Sequence, residues 1–119
     1  MDIEELREYC LSKAGVTEKT PFGKFARRYE SILVFYIFDH MFCLVDMDDF
    51  AYVTVKATAE EVAEIWLGRS SVSRPLNLDA RFWVQLDFGG DISDSEVFGR
   101  IDRSYDIVRA RYAPKRKQQ

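Results

Sequence analysis

The 119-residue sequence has few of the side chains that build metal centres and nucleophilic sites. It contains two cysteines and one histidine, and it has no CxxC pair. Three such ligands spread over the chain are too few for a Cys/His zinc site. Cys10 and Cys43 both lie inside apolar patterns, far apart in sequence. We therefore expect two reduced, buried thiols, no metal and no other cofactor.

Long hydrophobic runs are also missing. The longest, Ile32–Phe38, has the length of a strand, whereas a membrane-spanning helix needs about 20 apolar residues. The first residues are amphipathic and carry Asp2, Glu4 and Glu5, which is unlike the basic start of a signal peptide. These features predict a cytoplasmic protein with no membrane partner.

None of the familiar catalytic or phosphate-binding motifs is present. The acidic run Asp46–Asp49 lacks the glycine and the distant glutamate of an EF-hand. Gly89 and Gly90 lack the flanking pattern of a phosphate loop. His40 falls at a predicted hairpin tip, where a catalytic pair with Cys43 is not expected. The sequence predicts a protein that is not an enzyme.

What the sequence does contain is enough apolar material for one packed domain. Hydrophobic residues make up 47% and aromatic residues 14%, so we expect one domain over residues 1–119, with 113–119 as a frayed basic tail.

The net charge of the chain is −3, which argues against a nonspecific nucleic-acid coat. Five cations lie between Arg109 and Gln119. They complement the negative end of a helix dipole or, as a second reading, contact phosphates.

Helix starts are marked by capping boxes, in which an N-cap side chain is followed three residues later by glutamate. The sequence has three, Asp2–Glu5, Thr58–Glu61 and Ser93–Glu96. The first helix should end at Gly15, the second near Leu67 and Gly68, and the third before Pro114. Each of the three predicted helices has an apolar face that needs a sheet to pack on.

Strands are predicted where β-branched and aromatic residues cluster between these helices. The segments are 31–38, 41–46, 51–57 and 82–88, with a first strand somewhere within 24–29 and a short edge strand near Leu76–Leu78. Asp39 and His40 are the expected two-residue hairpin turn. Together these elements predict an α+β two-layer sandwich, an antiparallel sheet with helices packed on it, in the approximate order α-β-β-β-α-β-β-α.

Basic residues interleaved with aromatics form the candidate binding site. Lys24, Arg27 and Arg28 lie among aromatic residues, and Arg74 and Arg81 bracket an irregular segment. Such residues can bind phosphates and stacked bases; the alternative is ordinary surface charge over aromatic side chains that tuck into the core.

Trp83, which follows the irregular segment, alternates with Arg81, Gln85 and Asp87 rather than with the apolar residues of its strand. It is therefore either covered by a helix or exposed in a groove.

Three stretches together resemble the MmcQ/YjbR family of small bacterial proteins: IEELREYCLSKAGVTEKTPFG, ILVFYIFDHMFCLVD and RFWVQLD, the last followed by a capped helix. The resemblance covers nearly the whole chain in order and spacing. It implies a two-layer α+β fold akin to secretion chaperones and to a double-wing DNA-binding arrangement. Family members often have His-Trp before the late strand; here Trp83 matches, and Phe82 occupies the position of the histidine.

The leading hypothesis is therefore a non-enzymatic DNA-binding protein with hairpin loops as wings. Its nucleic-acid-binding residues would be Lys24, Arg27, Arg28, Arg74, Arg81 and Trp83, with the basic ones on phosphates. The alternative is a protein-interaction or secretion-chaperone-like module, monomeric or dimeric, that uses an apolar sheet face or edge. A continuous positive surface would favour DNA, and scattered charge around an apolar patch would favour a protein partner.

Overall fold

A computed structural model describes residues 1–24, 27–66, 69–73, 75 and 78–114, and for Arg28 and Trp66 it describes the backbone alone. Three helices and six strands make up the fold of these residues. The helices are α1 (Ile3–Leu11), α2 (Ala59–Trp66) and α3 (Asp94–Tyr112). The strands are β1 (Thr17–Lys19), β2 (Ile32–Ile37), β3 (His40–Asp46), β4 (Tyr52–Lys56), β5 (Val72–Ser73) and β6 (Trp83–Asp87). The predicted α+β class and element order are confirmed.

The strands form one antiparallel sheet in the order β1-β2-β3-β4-β6-β5. All three helices pack on the same face of it, where the main core lies. Each helix supplies fully or nearly buried side chains to that core, among them Leu6, Val62 and Ile101. The described helices include none that is long and apolar enough to cross a membrane.

The capping boxes position the helices as predicted. Asp2 accepts the amide of Glu5 at 2.9 Å, and Ser93 accepts that of Glu96 at 3.1 Å. At α2, the Thr58 hydroxyl accepts the amide of Glu61 and donates to the carboxylate of the same residue, each contact being 3.2 Å long. These contacts satisfy amide groups that the first helical turn leaves without intrahelical partners.

Two strand predictions were wrong in position. The first strand is Thr17–Lys19, and residues 27–29 form a 3₁₀ turn instead. The edge strand is Val72–Ser73, and Leu78 lies outside any strand, while Leu76 and Asn77 fall outside the described residues. Both true strands are two or three residues long, so they are too short to show a period of two.

The hairpin turn between β2 and β3 also differs from the prediction. Phe38 and Asp39 are its central residues, with φ of 50° and 62°, and His40 begins β3. Positive φ at both central residues is the geometry that matches the twist of paired strands. Phenylalanine is an uncommon choice there, which is why the sequence pointed to the next pair. His40 is exposed and stacks on Tyr112, with ring centroids 3.3 Å apart.

The two cysteines are free and fully buried, as predicted. Burial raises the pKa of Cys43 well above its usual value, with further contributions from a hydrogen bond with Cys10 and from the negative charge of the Cys10 thiolate.

The burial of both cysteines predicts slow thiol chemistry in the native protein. Because the thiolate is the reactive form, native thiols should react with Ellman's reagent at least about a hundredfold more slowly than thiols in denaturant, where the fold does not have to open first. Two thiols per chain should appear on denaturation. Release of one equivalent within seconds from the native protein would contradict this.

Candidate functional site: the loop face of the sheet

The sheet face away from the helices holds the candidate site. Val34, Leu44 and Trp83 form a second buried cluster there, separate from the main core. Phe22 and Leu78, from the segments before β2 and before β6, pack against it. We call this side of the sheet the loop face, since its described cover comes from loops rather than helices.

Strand register divides the loop face into two ends. At one end Ile32 pairs with Asp46, and Tyr52 pairs with Asp87. At the other end Tyr36 pairs with Met41, and Lys56 pairs with Trp83. We call these rows the acidic end and the basic end. Two carboxylates, those of Asp46 and Asp87, thus lie at the acidic end, and the Lys56 ammonium lies at the basic end.

Two lysines lie over aromatic rings at or beside the basic end: Lys56 belongs to its row, and Lys19 pairs with Val34, one row further in. The Lys56 Nζ lies 5.7 Å from the ring centroid of Trp83, and the Lys19 Nζ lies 5.6 Å from that of Tyr36. Within the part of the chain that the structure describes, neither ammonium forms an ion pair. Cation–π contact orients such a side chain without neutralising its charge. Both charges therefore remain available to an anionic ligand.

The backbone at Lys56 is fixed from the helix layer. Its N–H donates to the Ser104 hydroxyl at 2.8 Å, and that hydroxyl donates to the Phe42 carbonyl at 2.5 Å. Ser104 is fully buried, so these bonds form away from solvent. The position of the Lys56 side chain on the loop face thus depends on a polar contact in the main core.

A groove of about 560 Å³ runs along the loop face. The sheet supplies its floor, including Leu44, Thr54 and Gln85, and Phe22 and Leu78 belong to its walls. It reaches Ile32 and Tyr52 at the acidic end. A volume of this size, with mostly apolar walls and a few polar groups, is typical of small-ligand sites.

The acidic end holds two half-buried carboxylates. Asp46 accepts the amides of Asp48 and Asp49 at 2.9 and 3.3 Å. Asp87 accepts hydrogen bonds from the Ser73 hydroxyl at 3.3 Å and from Gln85 Nε2 at 3.2 Å. Burial, and then the charges of Asp46, Asp49 and Asp87, raise the pKa of Tyr52. Among the described residues, no cation pairs with Asp46 or Asp87.

Arg81 lies at the start of β6, next to the basic end. Its guanidinium is mostly exposed, forms an ion pair with Asp79 at 2.8 Å, and lies 5.4 Å from the Phe82 ring centroid. The hydrogen bond from Arg81, followed by its backbone amide, lowers the pKa of the Asp79 carboxyl. An exposed pair of this kind contributes little to stability, so Arg81 can exchange its partner for another anion.

The remaining predicted residues do not form one surface with Arg81. Lys24 and Arg27 are exposed and precede β2, whereas Arg81 precedes β6. Because β2 and β6 run antiparallel within the sheet, their starts lie at opposite ends of it. The Arg28 side chain and Arg74 lie outside the described residues, as does Phe25.

Trp83 is on the loop face, as its alternation predicted, but it is only 8% exposed. Among the described residues its surroundings are neither a helix nor an open groove: it packs with Val34 and Leu44, and Lys56 lies over its ring. Its ring therefore serves as a support for the lysine. Sequence reasoning missed Lys19 and Lys56 as site residues. The signal for Lys56 is the alternation of Tyr52, Thr54 and Lys56 in the sequence, which puts all three on one strand face.

No catalytic pair is visible around the two groups that sequence reasoning considered. Cys43 faces the main core and is fully buried, whereas His40 is exposed at the hairpin. In the described ranges there is also no group of three or more metal-ligating side chains.

Comparison with known proteins gives a family and a fold. The model of the YjbR family matches residues 11–107, and no curated protein matches the chain. Deinococcus radiodurans protein DR2400, with the family domain DUF419, has a crystal structure similar to this chain, with a TM-score of 0.82 and 21% identity over 95% of this chain and 82% of the other. A crystal structure of a Pseudomonas syringae protein is similar with a TM-score of 0.72 and 16% identity, and the match covers 92% of this chain and 100% of the other. Identities this low show a shared fold only.

Proposed function

The chain belongs to the YjbR family, and from that premise we propose that it is a non-enzymatic DNA-binding module, with the basic end of the loop face as its phosphate-binding surface. The observation that carries the proposal is the pair of lysines held over Tyr36 and Trp83. Their charges are not neutralised within the described chain, and they lie on the same sheet face. The role is cytoplasmic, in line with the sequence-based expectation.

Charge separation explains how an acidic protein can bind DNA. The carboxylates Asp46 and Asp87 lie at the opposite end of the loop face from Lys56, so the repulsion they exert on phosphates is weakest at the basic end. Arg81 adds a third cation near Trp83. Binding is therefore expected to centre on the basic end of the sheet and to depend strongly on salt.

The loop cations predicted from sequence fit as secondary contacts. Lys24 and Arg27 are exposed but enter from the other end of the sheet. In a double-wing arrangement they would contact a more distant part of the same duplex, and the sequence-based assignment of Arg28 and Arg74 to phosphates is kept as part of the proposal. Phosphate contacts of this kind position a protein on DNA without reading its sequence.

Fluorescence anisotropy with labelled duplex and single-stranded DNA tests the proposal. We expect micromolar binding at about 50 mM salt that weakens steeply toward about 200 mM. A plot of log affinity against log salt has a negative slope. The double variant Lys19→Gln/Lys56→Gln should make this slope less steep by about 2 on duplex DNA, since each lost phosphate contact removes about 0.9.

Two comparison variants locate the surface. Arg109→Gln/Arg111→Gln removes the same charge from the C-terminal end of α3, in the helix layer, and should leave the slope nearly unchanged. Lys24→Gln/Arg27→Gln removes it from the loop before β2 and should have an intermediate effect. If all three double variants weaken binding equally, only net charge matters and the assigned surface is wrong. No binding at about 10 μM protein in low salt would refute DNA binding itself.

A protein-interaction module is the second candidate, and the apolar groove on the loop face is the observation that favours it. In that case a partner segment, or a second copy of the chain, would cover Phe22 and Leu78, as in a chaperone-like dimer. Salt would then have little effect on binding, because apolar burial rather than ion pairing would supply the affinity. Sedimentation of the free protein distinguishes a dimer from a monomer.

A further inference from the structure

We propose that the groove on the loop face binds a small organic cation, an amine with an apolar body. This site lies toward the acidic end, and its ligand is opposite in charge to the phosphates assigned to the basic end. The inference goes beyond the DNA-binding proposal and does not depend on it. It rests on the position, size and charge of the groove.

The shape of the groove suits a ligand with an aromatic or aliphatic body. Its volume is about 560 Å³, and pockets of roughly 300 Å³ or more can enclose drug-sized molecules. The strands supply Leu44 and Met41 as apolar floor, and Phe22, Pro75 and Leu78 line it from the loops. Burying an apolar body against these side chains would supply most of the affinity.

Uncompensated carboxylates specify the charge. Ile32 and Tyr52 line the groove, and their paired neighbours across the sheet are Asp46 and Asp87. Gln85, also a lining residue, donates to the Asp87 carboxylate at 3.2 Å and so connects it to the groove. Both carboxylates are half-buried and form no ion pair with a cation among the described residues. Partly buried charges without a partner favour a ligand of opposite sign.

Aromatic side chains at the same end favour an ammonium group over a neutral one. Tyr29 and Tyr52 both line the groove, and their ring faces can attract a cation. The raised pKa of Tyr52, caused first by burial and then by Asp46, Asp49 and Asp87, is consistent with a negative potential there. An anionic ligand would meet that potential at the Tyr52 end of the groove.

Three probes with the same apolar body test the inference: phenylbutylamine, phenylbutanol and phenylbutyrate. Titration followed by amide NMR shifts should show the amine binding at least about tenfold more tightly than the carboxylate, with the alcohol between them. The shifts should map to Ile32, Leu44 and Gln85. DNA is absent from this experiment, so its result is separate from that of the anisotropy titration.

Charge-neutral variants identify the carboxylates. Asp46→Asn retains the one acceptor oxygen that both amides use, and Asp87→Asn retains the acceptor for Gln85 while its Nδ2 can donate to the Ser73 hydroxyl. Each replacement should weaken amine binding about fivefold while leaving alcohol binding unchanged. Asp106→Asn, on exposed α3 surface, is the matched control and should change neither. Leu44→Trp should fill the groove and abolish binding of all three probes. Equal affinities for amine and carboxylate, or no shifts with millimolar amine, would overturn the proposal.

Discussion

Replacing Ser104 with alanine should lower the free energy of unfolding by about 2–4 kcal/mol, because it leaves two buried backbone groups without partners at about 1–3 kcal/mol each. The hydroxyl accepts the Lys56 N–H and donates to the Phe42 carbonyl, at 2.8 and 2.5 Å. Ser104 is fully buried, so water cannot replace either bond. Urea denaturation of both proteins measures the difference.

Ser12→Ala is the matched control for this prediction. That hydroxyl also bonds a backbone carbonyl, that of Tyr9 at 2.7 Å, but it is exposed and water can take its place. Ser12→Ala should lower the free energy of unfolding by less than about 0.5 kcal/mol. Amide exchange gives a second readout, since the Lys56 N–H should exchange faster in Ser104→Ala. If Ser104→Ala lowered the free energy of unfolding by less than about 0.5 kcal/mol, with an unchanged denaturant slope, the structural role given to the Ser104 hydroxyl would be wrong.

The features that could be predicted from sequence are the ones set by neighbouring residues. The N-caps Asp2 and Ser93 were found because a cap and its amide are three residues apart. The long strands were found because β2, β3 and β6 are rich in apolar β-formers. The short strand Thr17–Lys19 was not, since its pairing with β2 supplies the order that its own three residues do not.

The candidate site depends on longer-range relations that no local pattern encodes. Alternation placed Lys56 and Trp83 on strand faces, but only the pairing of β4 with β6 brings them side by side. Likewise, Arg27 and Arg81 were grouped by composition, whereas the antiparallel relation of β2 and β6 separates them. The separation of acidic and basic ends arises from strand register, which becomes visible once the sheet order is known.

A β-bulge in β3 gives the clearest case of register overriding alternation. Phe35 pairs with Cys43, but the next residue, Tyr36, pairs with Met41, so Phe42 is the extra residue. Strict alternation would put Met41 and Cys43 on one face. Instead Phe42 and Cys43 both face the main core, while Met41 packs on the loop face. A bulge does this by letting two consecutive residues oppose one on the partner strand.

Because the bulge turns the Phe42 side chain into the main core, Phe42→Ala should lower the free energy of unfolding by about 3–5 kcal/mol. Phe42 is fully buried and meets the Tyr105 ring edge-on, with centroids 5.5 Å apart. The neighbouring Met41→Ala is the control: this half-buried residue lies on the other face and lines the groove, so its loss should cost below about 1.5 kcal/mol. If the two costs were similar, or reversed, strict alternation would describe β3 better than the bulge, and the groove floor would have to be reassigned from Met41 to Phe42.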